Sequence, residues 1–256
     1  MKKPHPPVPA PAPSFHKISG PPSGGLQTTA TALLEGLVSL VYPACCLGCG
    51  NRVASHTAPL CPGCLTRLER PSPEEVAEQL AGLPPEAQVL GQIFALWRFD
   101  KGGTLQRVQH ALKYGNRPAY GPALGRLIGQ VISGSEPFPL DGVVPVPLHP
   151  RRRLERGYNQ SDWLAGGVAA SLAVSYEGGM LLRSHATRSQ TRLSRRERWM
   201  NVADAFFVAR PSAVAGRHLL LVDDVLTTGA TAAAAARVLR AAGGATVHLA
   251  TLGLAR

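Results

Sequence analysis

The stretch HLLLVDDVLTTGATAAAAARVLRAAGG, His218 to Gly244, constrains this chain more than any other. Its opening apolar run has no polar alternation, the pattern of a central parallel strand buried on both faces. Asp223 and Asp224 then fall at the carboxyl end of that strand, the edge at which open α/β sheets bind ligands. Neighbouring strand residues point to opposite sides, so the two carboxylates are expected to do different jobs. Next come Thr227, Thr228, Gly229, Ala230 and Thr231, which lead into an alanine-rich run of high helix propensity that Gly243 can terminate. Free N–H groups at a helix start, a tight turn at Gly229 and three threonine hydroxyls form an anion cradle suited to phosphate. Carboxylates beside that cradle repel a bare phosphate. The ligand should therefore carry hydroxyls, a bound divalent cation, or both, and a sugar phosphate meets this. Helix capping alone needs one such residue; this stretch holds two acids, three threonines and a glycine.

From Gly91 onward the chain alternates strand and helix patterns. GQIFALWRFD reads as a strand, and GTLQRVQHALKY spaces Leu105, Val108 and Leu112 as a helix face does. A helix near 121–133, a strand in DGVVPVPLHP, a helix in NQSDWLAGGVAASLAV and a final strand in ATVHLATLGLA follow. Such alternation predicts an α/β domain on a mostly parallel sheet over 91–256. Residues 1–25 are Pro-, Gly- and Ser-rich and read as a disordered tail. A helix and the cysteine cluster are expected over 26–70, and a Pro-punctuated linker with one short helix over 71–90.

All five cysteines lie between Cys45 and Cys64. An odd, tight cluster argues for metal rather than disulfides. Cys46-x-x-Cys49 and Cys61-x-x-Cys64, with eleven residues between them, have the form of two zinc knuckles. Gly48, Gly50 and Gly63 help the tight turns. A redox-active pair would need only one such motif. Cys45 is an alternative to Cys46 with a spacing one residue too long, and His56 is a weaker substitute. Four thiolates leave zinc no open position, so the expected role is structural.

The chain carries 27 Lys+Arg against 16 Asp+Glu, a formal charge of +11, which predicts anionic partners. Ten of the arginines fall between Arg151 and Arg198, against four acids. Arg151, Arg152 and Arg156 follow a strand and so start near the same sheet edge as the aspartates. Arg195 and Arg198 belong to a segment, 187–206, that reads as a loop able to close over a ligand. Guanidinium groups bind phosphate oxygens bidentately, so these arginines suit a departing pyrophosphate or a nucleic-acid backbone. Aromatic residues make up 5% of the chain, which offers few stacking platforms for a single strand.

No segment reaches the roughly 18 to 20 unbroken apolar residues that span a bilayer. ATALLEGLVSLVYPA, 30–44, is broken by Glu35 and reads as an amphipathic helix. Lys2 and Lys3 lead into a Pro-rich stretch rather than a secretory apolar run, so a cytoplasmic location is expected.

LLLVDDVLTTGAT resembles the phosphoribosyl diphosphate (PRPP) signature of type I phosphoribosyltransferases. The resemblance implies that Asp223 and Asp224 contact ribose hydroxyls, that Thr227 to Thr231 hold the 5′-phosphate, and that Mg²⁺ accompanies PRPP. By itself the motif implies PRPP binding rather than a particular reaction. VPVPLHPRR…RGYNQ, the pattern Thr187, Gln190, Leu193, Arg195, Arg198, Asn201, and LKYGN (112–116) are similar to the ComF family. That family pairs an N-terminal zinc module with a C-terminal phosphoribosyltransferase domain. The similarity runs from about Cys45 to Arg256. It implies a type I phosphoribosyltransferase-like fold, a mostly parallel sheet flanked by helices, with a small zinc-ribbon-like module before it. It also implies a role in DNA uptake during natural transformation, with single-stranded DNA and helicase-type uptake proteins as partners. The family's motifs leave open whether phosphoribosyl is transferred to a nitrogenous acceptor. The alternative is a non-catalytic strand-binding or scaffold protein. Lys113 and Tyr114 are candidates to line an acceptor pocket, with Tyr114 equally readable as core.

Overall fold

The computed structural model describes residues 43–82, 88–184 and 205–255. The expected tail over 1–25, most of the 30–44 helix, and Arg195 and Arg198 with the rest of their motif lie outside the described residues.

In chain order the helices are α1 (Pro62–Leu65), α2 (Pro73–Ala81), α3 (Thr104–Tyr114), α4 (Tyr120–Ser133), α5 (Pro150–Arg156), α6 (Gln160–Leu172) and α7 (Ala230–Ala241). The strands are β1 (Leu90–Arg98), β2 (Gly142–Pro145), β3 (Ser175–Tyr176), β4 (Leu181–Arg183), β5 (Phe206–Val208), β6 (His218–Leu226) and β7 (Thr246–Leu254). Five of them form one parallel sheet in the order β1-β7-β6-β2-β3.

The apolar run of β6 shows why that strand is central. Leu219 and Leu221 enter one core cluster with the alanines of α7, while Leu220 and Val222 enter the other with α3, α4 and α6. Every residue from Leu219 to Val222 is fully buried, so no polar alternation is possible. The helix stripe expected at Leu105, Val108 and Leu112 is the buried face of α3.

Helices α4 and α6 pack unusually closely, and their glycines are the reason. A Cβ at Gly125 would sit 2.2 Å from the Leu164 carbonyl, and one at Gly129 would sit 2.5 Å from Ser171 Cβ.

Strand order decides where a ligand can sit. From β2 the chain passes through α5 and α6 to β3 on one side, and from β6 through α7 to β7 on the other. The crossovers diverge beyond the carboxyl ends of β2 and β6, which leaves a crevice at that switch point. The ladder between β2 and β6 runs only from Gly142↔Leu219 to Pro145↔Val222, whereas β6 continues along β7 to Leu226. Asp223 and Asp224 therefore lie inside β6 rather than beyond it, with their flank toward β2 open.

Two features sit outside this sheet. Strands β4 and β5 pair antiparallel, Arg183 opposite Phe206, and the Ser184 N–H donates to the Ala205 carbonyl at 2.8 Å. In the stretch expected as linker, α2 starts with a reciprocal capping box. The Ser72 N–H donates to Glu75 Oε2 at 2.8 Å, and the Glu75 N–H to Ser72 Oγ at 3.3 Å. Glu75 also accepts from Arg98 Nε at 2.7 Å, which ties α2 to the end of β1.

Candidate ligand cleft and metal centre

The crevice holds a cleft of about 150 Å³. Its walls come from the loop after β2 (Val146–Leu148), from α3, α5 and α6, and from Arg183, Asp223, Asp224 and Thr231. A smaller hollow of about 40 Å³ adjoins it, formed by Thr227 to Thr231 together with Asp223 and Thr251. Asp223 and Thr231 line both spaces.

The two aspartates have different partners. Asp224, buried, meets α3: Gln109 Nε2 donates to its Oδ2 at 2.9 Å, and Lys113 Nζ forms an ion pair with the same oxygen. Asp223 instead accepts from Ser161 Oγ at 3.0 Å and from the Asp224 N–H at 2.9 Å, both on Oδ1. Desolvation and the neighbouring Asp224 carboxylate push the Asp223 carboxyl well above its ordinary range, against the pull of these hydrogen bonds. A cation or hydroxyl donor arriving from the ligand relieves that penalty.

Ser161 owes its position to the N-terminus of α6. Asn159 is the N-cap, its side chain accepting from the Ser161 N–H and donating to the Val146 carbonyl at 3.1 Å. The start of α6 is thereby anchored to the end of β2.

The phosphate-loop candidates lie together, as expected. Gly229 has φ 72 and ψ −4, a left-handed conformation that favours glycine, and it is the N-cap of α7 with no capping side chain. The first N–H groups of α7 have no intrahelical partner, and Ala230, Thr231 and Ala232 line the small hollow, the arrangement an anion site uses.

The arginines separate by helix geometry. Arg152 and Arg156, four apart on α5, share a face and line the cleft. Arg151 turns away: its side chain is 83% exposed and Nε pairs with Glu155 Oε1 at 3.0 Å. Arg151 and Arg152 are adjacent on the helix, so their side chains leave in different directions. Lys113 and Tyr114 both line the cleft, and Tyr114 is 66% exposed with the Arg156 guanidinium 5.1 Å from its ring centroid, so it is not core. Sequence reasoning passed over Gln109, Ser161 and Arg183, which carry no motif signal of their own.

Cys46, Cys49, Cys61 and Cys64 bring their Sγ atoms within 4.8 Å of one another and can hold a metal ion. Cys49 and Cys61 Sγ are 3.7 Å apart, close to the roughly 3.8 Å edge of a thiolate tetrahedron with ~2.3 Å metal–sulfur bonds. Burial works against it, but N–H groups of Cys61, Cys49 and Gly48 hold the Cys46 thiol down at about 6. Burial and its three thiol neighbours push Cys64 up to about 12, a conflict that a divalent cation would resolve. Cys45 is exposed and stands apart, as does exposed His56. A Cβ at Gly48 would approach Cys64 Sγ to 2.7 Å and Gly50 has φ 77, so both knuckle positions call for glycine; Gly63 faces open space and does not.

The cluster is not a tethered bead. Cys46, Leu60 and Cys64 share a core with α3, and Arg107 donates from Nε to the Leu47 carbonyl at 2.8 Å. Among the described residues no helix is long and apolar enough to cross a membrane.

Residues 163–255 match the family model described as the phosphoribosyl transferase domain. The chain is 34% identical over 217 residues to the DNA utilization protein YhgH of Salmonella typhi, covering 83% of this chain and 91% of that one. It is 35% identical over 104 residues to Competence protein F of Haemophilus influenzae, covering 40% of this chain and 45% of that one. The glutamine PRPP amidotransferase structure from B. subtilis aligns with 22% identity over 56% of this chain and 30% of that one. Its TM-score is 0.38, a value at which the overlay carries no argument.

Proposed function

The chain belongs to the ComF family of proteins with a phosphoribosyl transferase domain, and from that premise we propose that its cleft binds PRPP, or a related sugar phosphate, with Mg²⁺. The observation that carries this reading is the position of Asp223, shared between a small hollow walled by threonines, with no cation among its described residues, and a cleft lined by Lys113, Arg152, Arg156 and Arg183. A ligand that fits both spaces has an anionic group at each end and a hydroxylated middle. PRPP has this form.

In this reading the α7 N-terminus and the Thr227, Thr228 and Thr231 hydroxyls take the 5′-phosphate. The Asp223 and Asp224 carboxylates face the ribose diol, with Lys113 and Gln109 holding Asp224 in place. The Arg152 and Arg156 guanidiniums neutralise the diphosphate, and would stabilise it as it departs if a nitrogen nucleophile displaces it from the anomeric carbon. Asp223 would be the carboxylate placed to hold Mg²⁺, which would supply charge neutralisation for the ligand.

The four thiolates are proposed to hold a structural Zn²⁺. The relatives named for DNA utilization and for competence support a role in DNA uptake, and the proposed site of action is the cytoplasm, as the charged, Pro-rich start of the sequence suggests. There the zinc module and the basic surface would meet single-stranded DNA or helicase-type partners.

Calorimetric titration of PRPP with Mg²⁺ tests the cleft. Saturable binding by wild type, abolished in the Asp223→Asn/Asp224→Asn double variant, is the expected result. No binding by folded, zinc-loaded wild type would sink the PRPP reading.

A further inference from the structure

Arg183 is the last residue of β4, paired with Phe206 of β5, and its side chain lines the cleft together with the aspartates. Its Nε is shielded from solvent yet has no hydrogen-bond partner among the described residues. The guanidinium makes none of the ion pairs found there, in contrast to Lys113, Arg151 and Arg217. It has one clear contact, with the Phe206 ring across the hairpin, whose centroid lies 5.2 Å from Cζ. Desolvation depresses its basicity and Asp223 works the other way. Arginine stays charged even so, and a shielded, unpaired guanidinium donor is costly unless something binds it.

Geometry says what that something is. The hollow at the α7 N-terminus has backbone donors and hydroxyls but, among the described residues, no cationic side chain in its walls. The adjoining cleft, on the other side of Asp223, gathers the cations. We propose that Arg183 binds the diphosphate end of the ligand, as a phosphoryl-oxygen clamp held in orientation by Phe206. The inference rests on the ribose-phosphate reading of the cleft and adds a residue and an end to it. The planar fork of the guanidinium suits two oxygens of one phosphoryl group, and Phe206 fixes the plane of the fork before the ligand arrives.

The test uses two half-ligands, inorganic pyrophosphate and ribose 5-phosphate, each titrated with Mg²⁺ into the full zinc-loaded chain. Wild type, Arg183→Gln and Arg183→Lys are compared, with thermal unfolding run on each. The expected result for Arg183→Gln is a weakening of pyrophosphate binding by about tenfold or more, with ribose 5-phosphate affinity held within about twofold. Arg183→Lys should recover part of the loss, since it keeps the charge without the fork, and it carries the comparison if the glutamine variant does not fold. Unchanged pyrophosphate affinity in a folded variant overturns the proposal, and so does equal weakening of both probes, which marks a structural role. If wild type binds neither probe, the ribose-phosphate reading falls and takes this inference with it.

Discussion

Arg107 on α3 donates from Nε to the carbonyl of Leu47, 2.8 Å away in the first cysteine knuckle, and its Nη2 reaches the Gly48 carbonyl at 3.3 Å. Two and six residues further along the same helix, Gln109 and Lys113 hold Asp224. One rigid element therefore joins the thiol cluster to the ligand cleft.

Metal removal should be felt at the cleft for that reason. Stripping zinc with a chelator is expected to lower the unfolding temperature and weaken PRPP binding several-fold, by roughly 1 kcal/mol. Cys46→Ser should reproduce both effects, and Cys45→Ser neither, because only Cys46 belongs to the cluster. Elemental analysis and calorimetry on the same preparations decide it. Retained zinc in Cys46→Ser would remove that residue from the ligand set.

The pH dependence follows from Asp223, whose folded-state carboxyl is raised by desolvation and by Asp224. A raised acid binds more protons folded than unfolded, so stability is present at low pH and lost as pH climbs from the ordinary carboxylate range through the raised value. In ligand-free protein, Asp223→Asn should remove that loss, leaving the variant as stable as wild type in acid and more stable near neutrality. Unfolding midpoints across this range check the sign. Ligand binding with Mg²⁺ should release protons over the same interval, seen as buffer-dependent heats.

The α4–α6 contact should not tolerate a side chain at Gly125, where a Cβ would meet the Leu164 carbonyl at 2.2 Å. Gly125→Val is expected to cost about 1–3 kcal/mol or more in urea unfolding. Gly63→Ala, facing open space, should be close to neutral.

At Gly229 the constraint is conformational. With φ 72, a β-branched residue is strained, and Gly229→Val should cost about 1–2 kcal/mol. It should also weaken ribose 5-phosphate more than pyrophosphate, the reverse of the pattern expected at Arg183. Calorimetry with the two half-ligands separates the sites.

Local pattern carried much of this molecule into view. The unbroken apolar run of β6, the small-residue turn at Gly229 and the alanine-rich α7 are consecutive in the chain, so a strand–loop–helix anion site is written in one stretch. Cysteine spacing likewise announces a thiol cluster. These two signals arise from backbone propensity, burial and spacing, which nearby residues control, whereas the capping box at Ser72 and Glu75 was found only in the structure.

What remained hidden depends on sheet order. Ser161 reaches Asp223 across 62 residues, and Gln109 reaches Asp224 across 115. Such partners meet only because β2 and β6 are neighbours and the α3 and α6 crossovers lie over the same face. The choice among Arg151, Arg152 and Arg156 needed the formation of α5, since a helix sends consecutive side chains in different directions. Cys46 over Cys45 needed the bend of the knuckle, and Arg183 became visible as an unpaired donor only once the hairpin had set it beside Asp223. Sequence determined which chemistry the chain carries, through residue type and short-range spacing. Tertiary structure decided which copies of each residue face the ligand, because orientation is a property of packed elements rather than of the order of residues.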